Sequence, residues 1–442
     1  MENRSILGDA LALAMLPSDS IPEIPRGMAK LSLFDWLVVG KAGSTEPVSR
    51  IISDFVLEEG GEPQASVFGM ALKLPSRAAA MANGTISHAL DYDDTHFAHV
   101  GHLSVGIMPA ALAIGEAINA SGADIVDAFL IGAEAACRIG MTLGRQHYEY
   151  GFHQTATAGA FGATIAAGRL MGLSSVEMQM AVGIVSTRAS GLKSQFGTMG
   201  KPFNAGIAAA NGVEAVKLAS RGFISCEDGL SGPQGFISTH TQGSNDIDAW
   251  ISPPPEHFVF EDNKYKLHAC CHGTHAMIEA LLQELRERSI LPADVDSLTI
   301  VVNPRWLKVC DVKAPRTGLE IKFSYTWLAS MVLFGIDTSN DAAYQDALCQ
   351  NAHIIDFSSK VTVISDPEMS DMQTDIIIRM KDSTQRKLFF DLAARVPEAA
   401  LAERLRKKAS SLIGSEKAEH IWLTLSSVES LSARDIAALL NS

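Results

Sequence analysis

The sequence predicts a mainly α protein, with a large all-α helical domain and a smaller α+β lid domain. Three observations lead there. The chain of 442 residues is 47% hydrophobic but only 7% aromatic and carries 35 glycines. Its core is therefore made of small and aliphatic side chains, which let helices approach closely. Up to about residue 250 the apolar residues recur at helical spacing. After Ser252-Pro-Pro-Pro255 the pattern changes to short alternating, β-branched runs.

Residues 5–16 and 28–40 have helical periodicity, and 48–57 form a further helix ended by Glu58-Glu-Gly-Gly61. Ala65-Ser-Val-Phe-Gly is a short extended piece, and 76–90 are an alanine-rich helix running into an acidic cluster. Helices are expected over 103–119, 124–143, 155–171, 175–190 and 203–221. Several contain glycines, which cost helix propensity and so mark close helix contacts. Strands are expected at Ser297–Asn303, Lys360–Ser365, Thr374–Met380 and Arg386–Phe390, with helices at 274–288, 323–335 and 340–349 between them. Helices return at 398–412 and 431–440. The expected division is a helical domain of residues 1–260 plus 396–442 and a lid domain of 261–395.

The formal net charge of −14 argues against nucleic acid as a partner, because such binding needs a basic surface. Six cysteines without repeated C-x-x-C spacing read as reduced thiols. The N-terminus has no apolar signal-like run, and apolar stretches such as 103–119 contain Gly, Pro and Ser and end near Glu116. A cytoplasmic protein that does not engage membranes is expected.

Four segments concentrate chemistry. Ser87-His-Ala-Leu-Asp-Tyr-Asp-Asp-Thr-His-Phe-Ala-His-Val-Gly-His102 packs Asp91, Asp93, Asp94, Thr95 and four histidines between apolar flanks. So many titratable groups are costly in a core unless paired or used. Histidines 96, 99 and 102 have a ligand-like spacing, but no H-x-x-x-H or C-x-x-C partner accompanies them, so no metal is assigned. Tyr148-Glu-Tyr-Gly-Phe-His-Gln-Thr places His153 before a helix start, where anions are favoured. Arg188 to Gly206 holds Arg188, Lys193 and Lys201 in a glycine-rich loop suited to carboxylates; Pro202 after Lys201 excludes a Walker A loop. Asp262-Asn-Lys-Tyr-Lys-Leu-His-Ala-Cys-Cys-His-Gly-Thr-His275 adds Lys266 and His268. Neither a G-x-S-x-G elbow nor an early G-x-G-x-x-G is present, which excludes α/β-hydrolase and nicotinamide readings.

Together these segments resemble the MmgE/PrpD family over essentially the whole chain. The resemblance rests on Asn83 to His96, on His102-Leu-Ser, on Gly200-Lys-Pro-Phe-Asn-Ala-Gly206 and on Lys266 to His275. It implies a helical domain with an α+β lid, a cleft between them, a homodimer and no organic cofactor. It also implies proton transfer beside a carboxylate of a small polycarboxylate, as in 2-methylcitrate dehydratase, cis-aconitate decarboxylase and iminodisuccinate epimerase. Carried over, the catalytic residues are Asp91, His102, His153, Lys201 and Lys266. Thr95, Arg188, Lys193, His268 and Tyr325 are expected to bind substrate. The spacing from Thr95 to His102 is one residue longer than in the decarboxylase, which leaves His99 as the alternative. Lys266-Leu-His-Ala-Cys-Cys departs from the family's Lys-Pro-Tyr-Ala-Cys-Cys at His268, and Ser324-Tyr-Thr-Trp327 offers Tyr325 only with a register shift. The compact chain points to epimerisation of iminodisuccinate. Dehydration of 2-methylcitrate type and decarboxylation of cis-aconitate are the alternatives, and non-catalytic polycarboxylate binding is the alternative of another class.

Overall fold

The computed structural model describes residues 5–241 and 247–442. It contains two compact units: residues up to 265 with 413–442, and residues 266–412. In chain order the first holds α1 (Ile6–Ala14), α2 (Glu23–Gly43), α3 (Pro47–Glu59), α4 (Ser76–Ser87), α5 (Ser104–Ile118), α6 (Gly122–Glu149), α7 (Thr157–Leu170), α8 (Ser175–Ser186), α9 (Gly200–Ala219) and α10 (Phe236–His240). The second holds α11 (His275–Glu287), β1 (Val295–Val302), α12 (Pro304–Leu307), α13 (Gly318–Ile321), α14 (Tyr325–Leu333), α15 (Ala352–Ser358), β2 (Val361–Ser365), β3 (Gln373–Met380), β4 (Gln385–Asp391) and α16 (Glu398–Ile413). The chain then returns to the first unit with α17 (Ser415–Leu425) and α18 (Ala433–Ala438).

In the first unit α4, α5, α6, α7 and α9 pack on one another as its centre. Alanine makes this possible: Ala79, Ala80, Ala82, Ala160, Ala163, Ala208 and Ala209 are all fully buried. Where α4 meets α9 even alanine is too large. A Cβ on Gly84 would stand 2.8 Å from the Gly206 Cα, closer than real Cβ contacts allow. The expectation that glycines inside helices mark close contacts holds at this pair.

The second unit carries a four-stranded sheet of order β2-β1-β3-β4. β1 runs parallel to β2, with Leu298 opposite Val361, and antiparallel to β3, with Ile300 opposite Ile376. A parallel pair needs a long crossover; here the chain between β1 and β2 supplies it, including α14, which packs on β2. Ile300, Ile376 and Ile378 are buried on one face, beneath α11.

Some boundaries differ from expectation for identifiable reasons. α2 begins at Glu23 rather than 28, because Pro25 falls in the first turn, where its missing N–H costs nothing. The helix expected over 124–143 leaves helical geometry at Gly144, with φ +72°, and resumes as far as Glu149. Residues 340–349 do not form one helix. They form two short 3₁₀ turns, Asp341–Ala343 and Asp346–Gln350, and Tyr344 at ψ 68° breaks the ladder between them. The unanticipated α17 follows α16 directly through Gly414 at φ +85°, a conformation open mainly to glycine. No described helix is long and apolar enough to cross a membrane.

Candidate active site

The loop between α4 and α5 is held by its own polar residues. Asp94 is fully buried and accepts from the Ser104 N–H at 3.0 Å, the Ser104 hydroxyl at 2.5 Å and the Asn263 amide at 2.7 Å. Burial pushes its carboxyl up, against the pull of the Ser104 hydroxyl. Thr95 pairs through its backbone with Lys264, N to O at 2.7 Å and back at 2.8 Å. The His96 ring reaches the Val259 carbonyl at 2.9 Å, and His99 Nδ1 donates to the Ala136 carbonyl on α6 at 3.0 Å. His99 is wholly buried, and burial followed by the neighbouring His96 lowers its pKa to about 3. His96 and His99 are therefore neutral anchors, and of the three histidines after Asp94 it is His102 that meets the carboxylates.

Asp93 is buried between two imidazoles. Its Oδ1 lies 2.8 Å from His88 Nδ1 and its Oδ2 lies 2.8 Å from His102 Nδ1. Burial opposes its charge, but His102 and His88 outweigh burial and hold the carboxyl well below the usual range. His102 Nδ1 is also 2.8 Å from the Asp94 carbonyl oxygen. A carbonyl and an ionised carboxylate can only accept, so Nδ1 carries the hydrogen and the basic lone pair of neutral His102 is on Nε2. That nitrogen lies 3.5 Å from Asp91 Oδ1, while Asp91 Oδ2 lies 2.6 Å from Lys201 Nζ. Asp91 has a left-handed backbone, φ +50°, an uncommon state for a residue other than glycine.

His153, supplied by the segment before α7, is oriented the opposite way. The Asn204 amide nitrogen donates to the Leu192 carbonyl at 3.3 Å and lies 3.1 Å from His153 Nδ1. Nδ1 is thus an acceptor, and neutral His153 carries its hydrogen on Nε2. Burial, then Lys201, then His88 and His102 keep its pKa well below the ordinary histidine value. The His102 and His153 ring centres are 6.5 Å apart. One imidazole offers a lone pair at Nε2 and the other an N–H, beside an ammonium and a carboxylate. This set can pass a proton and receive an anion.

Donor atoms of His88, Asp91, Asp93 and His102 all lie within 4.8 Å of one another. That is the donor chemistry of a cation site. Here the His88 ring N–H on Asp93 and the Lys201 ammonium on Asp91 already engage those carboxylates, with His102 Nδ1 a further 2.8 Å neighbour of Asp93.

Of the expected site residues, the structure brings together Asp91, His102, His153 and Lys201, with Thr95 half-buried in the same loop. Arg188 and Lys193 have other contacts in the structure. Arg188 is half exposed and faces Glu214 at 3.5 Å, lining a groove with Phe55 and Phe203. The Lys193 ammonium donates to the Tyr148 carbonyl at 2.9 Å and sits 3.6 Å above the Tyr148 ring. In the second unit Lys266 is buried. His268 has both ring nitrogens committed, one to Glu279 at 2.9 Å and one to the Thr338 hydroxyl at 2.8 Å. The Tyr325 hydroxyl donates to the Gly273 carbonyl at 2.7 Å, and burial keeps it well above the usual phenol range. His88 and Asn204 were not singled out from sequence. The signals for His88 are its place among the four histidines of the first segment and within the Asn83–His96 run that carries the resemblance.

Comparison with known proteins identifies the family. Residues 10–247 match the MmgE/PrpD N-terminal domain and residues 268–413 the C-terminal domain. A cis-aconitate decarboxylase-like protein of Aspergillus oryzae is 31% identical over 280 residues, 60% of this chain and 58% of that protein. The cis-aconitate decarboxylase of Aspergillus terreus is 30% identical over 282 residues, 60% of this chain and 57% of that protein. The match thus spans little more than half the length of these fungal relatives. The human cis-aconitate decarboxylase is 24% identical over 425 residues, 91% of this chain and 87% of that protein. With both family domains matched in order across most of its length, the chain belongs to the MmgE/PrpD family.

Proposed function

We propose that this protein is a lyase that decarboxylates an unsaturated tricarboxylate of the cis-aconitate type. The observation that carries the proposal is the row Lys201, Asp91, His102, with contacts of 2.6 and 3.5 Å, in a chain whose relatives are cis-aconitate decarboxylases. These relatives favour decarboxylation over the epimerisation suggested by chain length.

The chemistry follows from the charges. When carbon dioxide leaves, the electron pair of the broken C–C bond stays on the carbon skeleton. It spreads through the double bond onto a remaining carboxylate, where a nearby cation stabilises it. Lys201 is that cation. The proton the carbon then needs comes from Nε2 of protonated His102, which sits between Asp93 at one nitrogen and Asp91 at the other. Neutral His153 supplies an N–H to a substrate oxygen without adding a second positive charge. His102 regains its proton from solvent, so one proton is consumed and one carbon dioxide released per turnover.

The test is incubation in deuterated water with cis-aconitate, 2-methylcitrate and iminodisuccinate in separate samples, followed by NMR and carbon dioxide detection. Carbon dioxide with one deuterium in the product is expected for cis-aconitate. Exchange or inversion of iminodisuccinate without carbon dioxide would replace decarboxylation by epimerisation, and water loss from 2-methylcitrate would replace it by dehydration. Thermal stabilisation by these acids without any reaction would leave a binding protein.

A further inference from the structure

We infer that His88 and Asp93 are a positioning pair for His102: ionised Asp93, 2.8 Å from both imidazoles, favours by its charge the hydrogen on His102 Nδ1 that the Asp94 carbonyl accepts, and His88 holds Asp93 in place. The inference rests on the proposed proton-transfer role of His102 and adds two residues to it.

Neither side chain of the pair reaches the surface. Their action on a substrate is therefore indirect. His88 is the first residue beyond α4, so its ring position follows from a packed helix end rather than from a loose loop. Its Nδ1 donates to Asp93 Oδ1 at 2.8 Å. Its Nε2 is buried without a hydrogen-bond partner. A proton there would be an unsatisfied buried donor, which is costly, so His88 remains neutral with its hydrogen on Nδ1. Burial first, and Lys201 and His102 in addition, disfavour the charged ring.

Two consequences follow. With His88 neutral, the charge of Asp93 is directed to His102, whose ring centre is 4.5 Å from that of His88. With Oδ1 bonded to His88, Oδ2 has no hydrogen-bond partner of its own among the described residues and is held 2.8 Å from His102 Nδ1, where its charge acts on the ring. The same Nδ1–H also meets the Asp94 carbonyl, and Asp94 is anchored by Ser104 and Asn263. The other charged or titratable groups around the His102 ring are Asp91, Lys201, His153 and the buried neutral His99. None of them touches Nδ1 in the structure. Asp93 is accordingly the carboxylate that orients the base, and Asp91 is the one that meets its reactive nitrogen.

The experiment uses the full chain with ¹⁵N-labelled histidine and does not need a substrate for its first part. Ring-nitrogen spectra of the wild type at a pH where His102 is neutral, assigned with His102→Gln, should show its hydrogen on Nδ1. A hydrogen on Nε2 overturns the inference. In Asp93→Asn the Nδ1–H resonance of His102 should shift or exchange with the other tautomer; an unchanged spectrum also overturns it. The second part measures turnover. Asp93→Asn should lower kcat about 10²-fold or more with KM changed by less than about threefold, since a misplaced base loses rate rather than binding. His88→Leu should lose about tenfold or more, and His88→Asn, whose amide can replace the Nδ1–H donor, should recover most of it. Equal activity of folded His88→Leu and wild type, or equal loss in both His88 variants, overturns the role of His88. Should Asp93→Asn fail to fold, the two His88 variants still decide, because the Asp94 carbonyl alone could keep the wild-type hydrogen on Nδ1. A correct tautomer in a protein inert to every polycarboxylate would instead defeat the proposed function and leave the positioning geometry standing.

Discussion

Two histidine-rich segments, 88–102 in the first unit and 268–275 in the second, look alike in sequence and differ in what their rings are free to do. In the second, His268 is bonded at both nitrogens. His272 and His275 pack ring against ring at 4.5 Å, and His275 is driven well below the ordinary histidine value by burial and then by His272, His268 and Lys266. In the first, His96 and His99 are tied to carbonyls, but His102 keeps one nitrogen directed toward an incompletely buried carboxylate. The difference teaches that histidine density marks a buried polar network, and that chemistry needs the further condition of a ring nitrogen facing a charge that is not itself buried.

The sharpest break of this comparison is at Lys201. Lys201→Ala should reduce turnover by about 10²–10³-fold, roughly 3–4 kcal/mol, while the melting temperature stays close to wild type. Steady-state rates beside a thermal melt check it, and a folded variant of near-normal rate would remove Lys201 from the mechanism.

The second segment should respond in stability. Glu279 bonds His268 and Arg404, and these partners outweigh burial to lower its pKa from 4.5 to about 2. A carboxylate depressed in the folded state contributes stability above its unfolded pKa and loses it as pH falls through the folded one. Glu279→Gln should therefore cost about 2–3 kcal/mol at neutral pH, with the gap to wild type closing between about pH 4.5 and 2. Denaturant titrations across that range measure it.

A smaller effect tests the anchoring histidines within the first segment. A Cβ on Gly140 would stand 2.4 Å from His99 Nδ1, so Gly140→Ala must displace a ring that holds the loop to α6. A loss of about 1–3 kcal/mol is expected, with the His99 ring resonances shifted. Smallest of all is chelation. Lys201 and the His88 ring N–H already engage Asp91 and Asp93, so prolonged treatment with a strong chelator should leave turnover unchanged. Loss of activity restored by one divalent metal would show that the carboxylates serve a cation instead.

The fold class and the loops that carry the chemistry were legible because each rests on contiguous sequence. Alternation marks β1 to β4, alanine-rich periodicity marks the helices of the first unit, and Asn83 to His96 carries its motif in one run. What escaped depends on contacts between distant segments. The resemblance ranks His102 above His99 in spite of the one-residue difference in spacing, and the Ala136 carbonyl on α6 that claims His99 is not visible in sequence. Lys193 and Lys201 share one glycine-rich loop, and the Tyr148 carbonyl draws one of them away. Asp91 and Asp93 are two residues apart, yet the left-handed turn at Asp91 sends one carboxylate toward Lys201 while the other lies between two histidines. The break at Tyr344 was equally hidden, since it contradicts a reasonable helical pattern without a glycine or proline at the break.

The bare contact between Gly84 and Gly206 has a reach beyond packing. Gly84 is four residues before His88 on α4, and Gly206 is five residues after Lys201 on α9. A methyl group on Gly206 would stand 2.2 Å from the Thr85 hydroxyl oxygen and 2.4 Å from the Met81 carbonyl, so any side chain there wedges the two helices apart. The helices act as the arms of a caliper whose jaw is the 2.6 Å gap between the Lys201 ammonium and Asp91. Two missing methyl groups, well behind the reacting atoms, set the gauge to which the charged groups close.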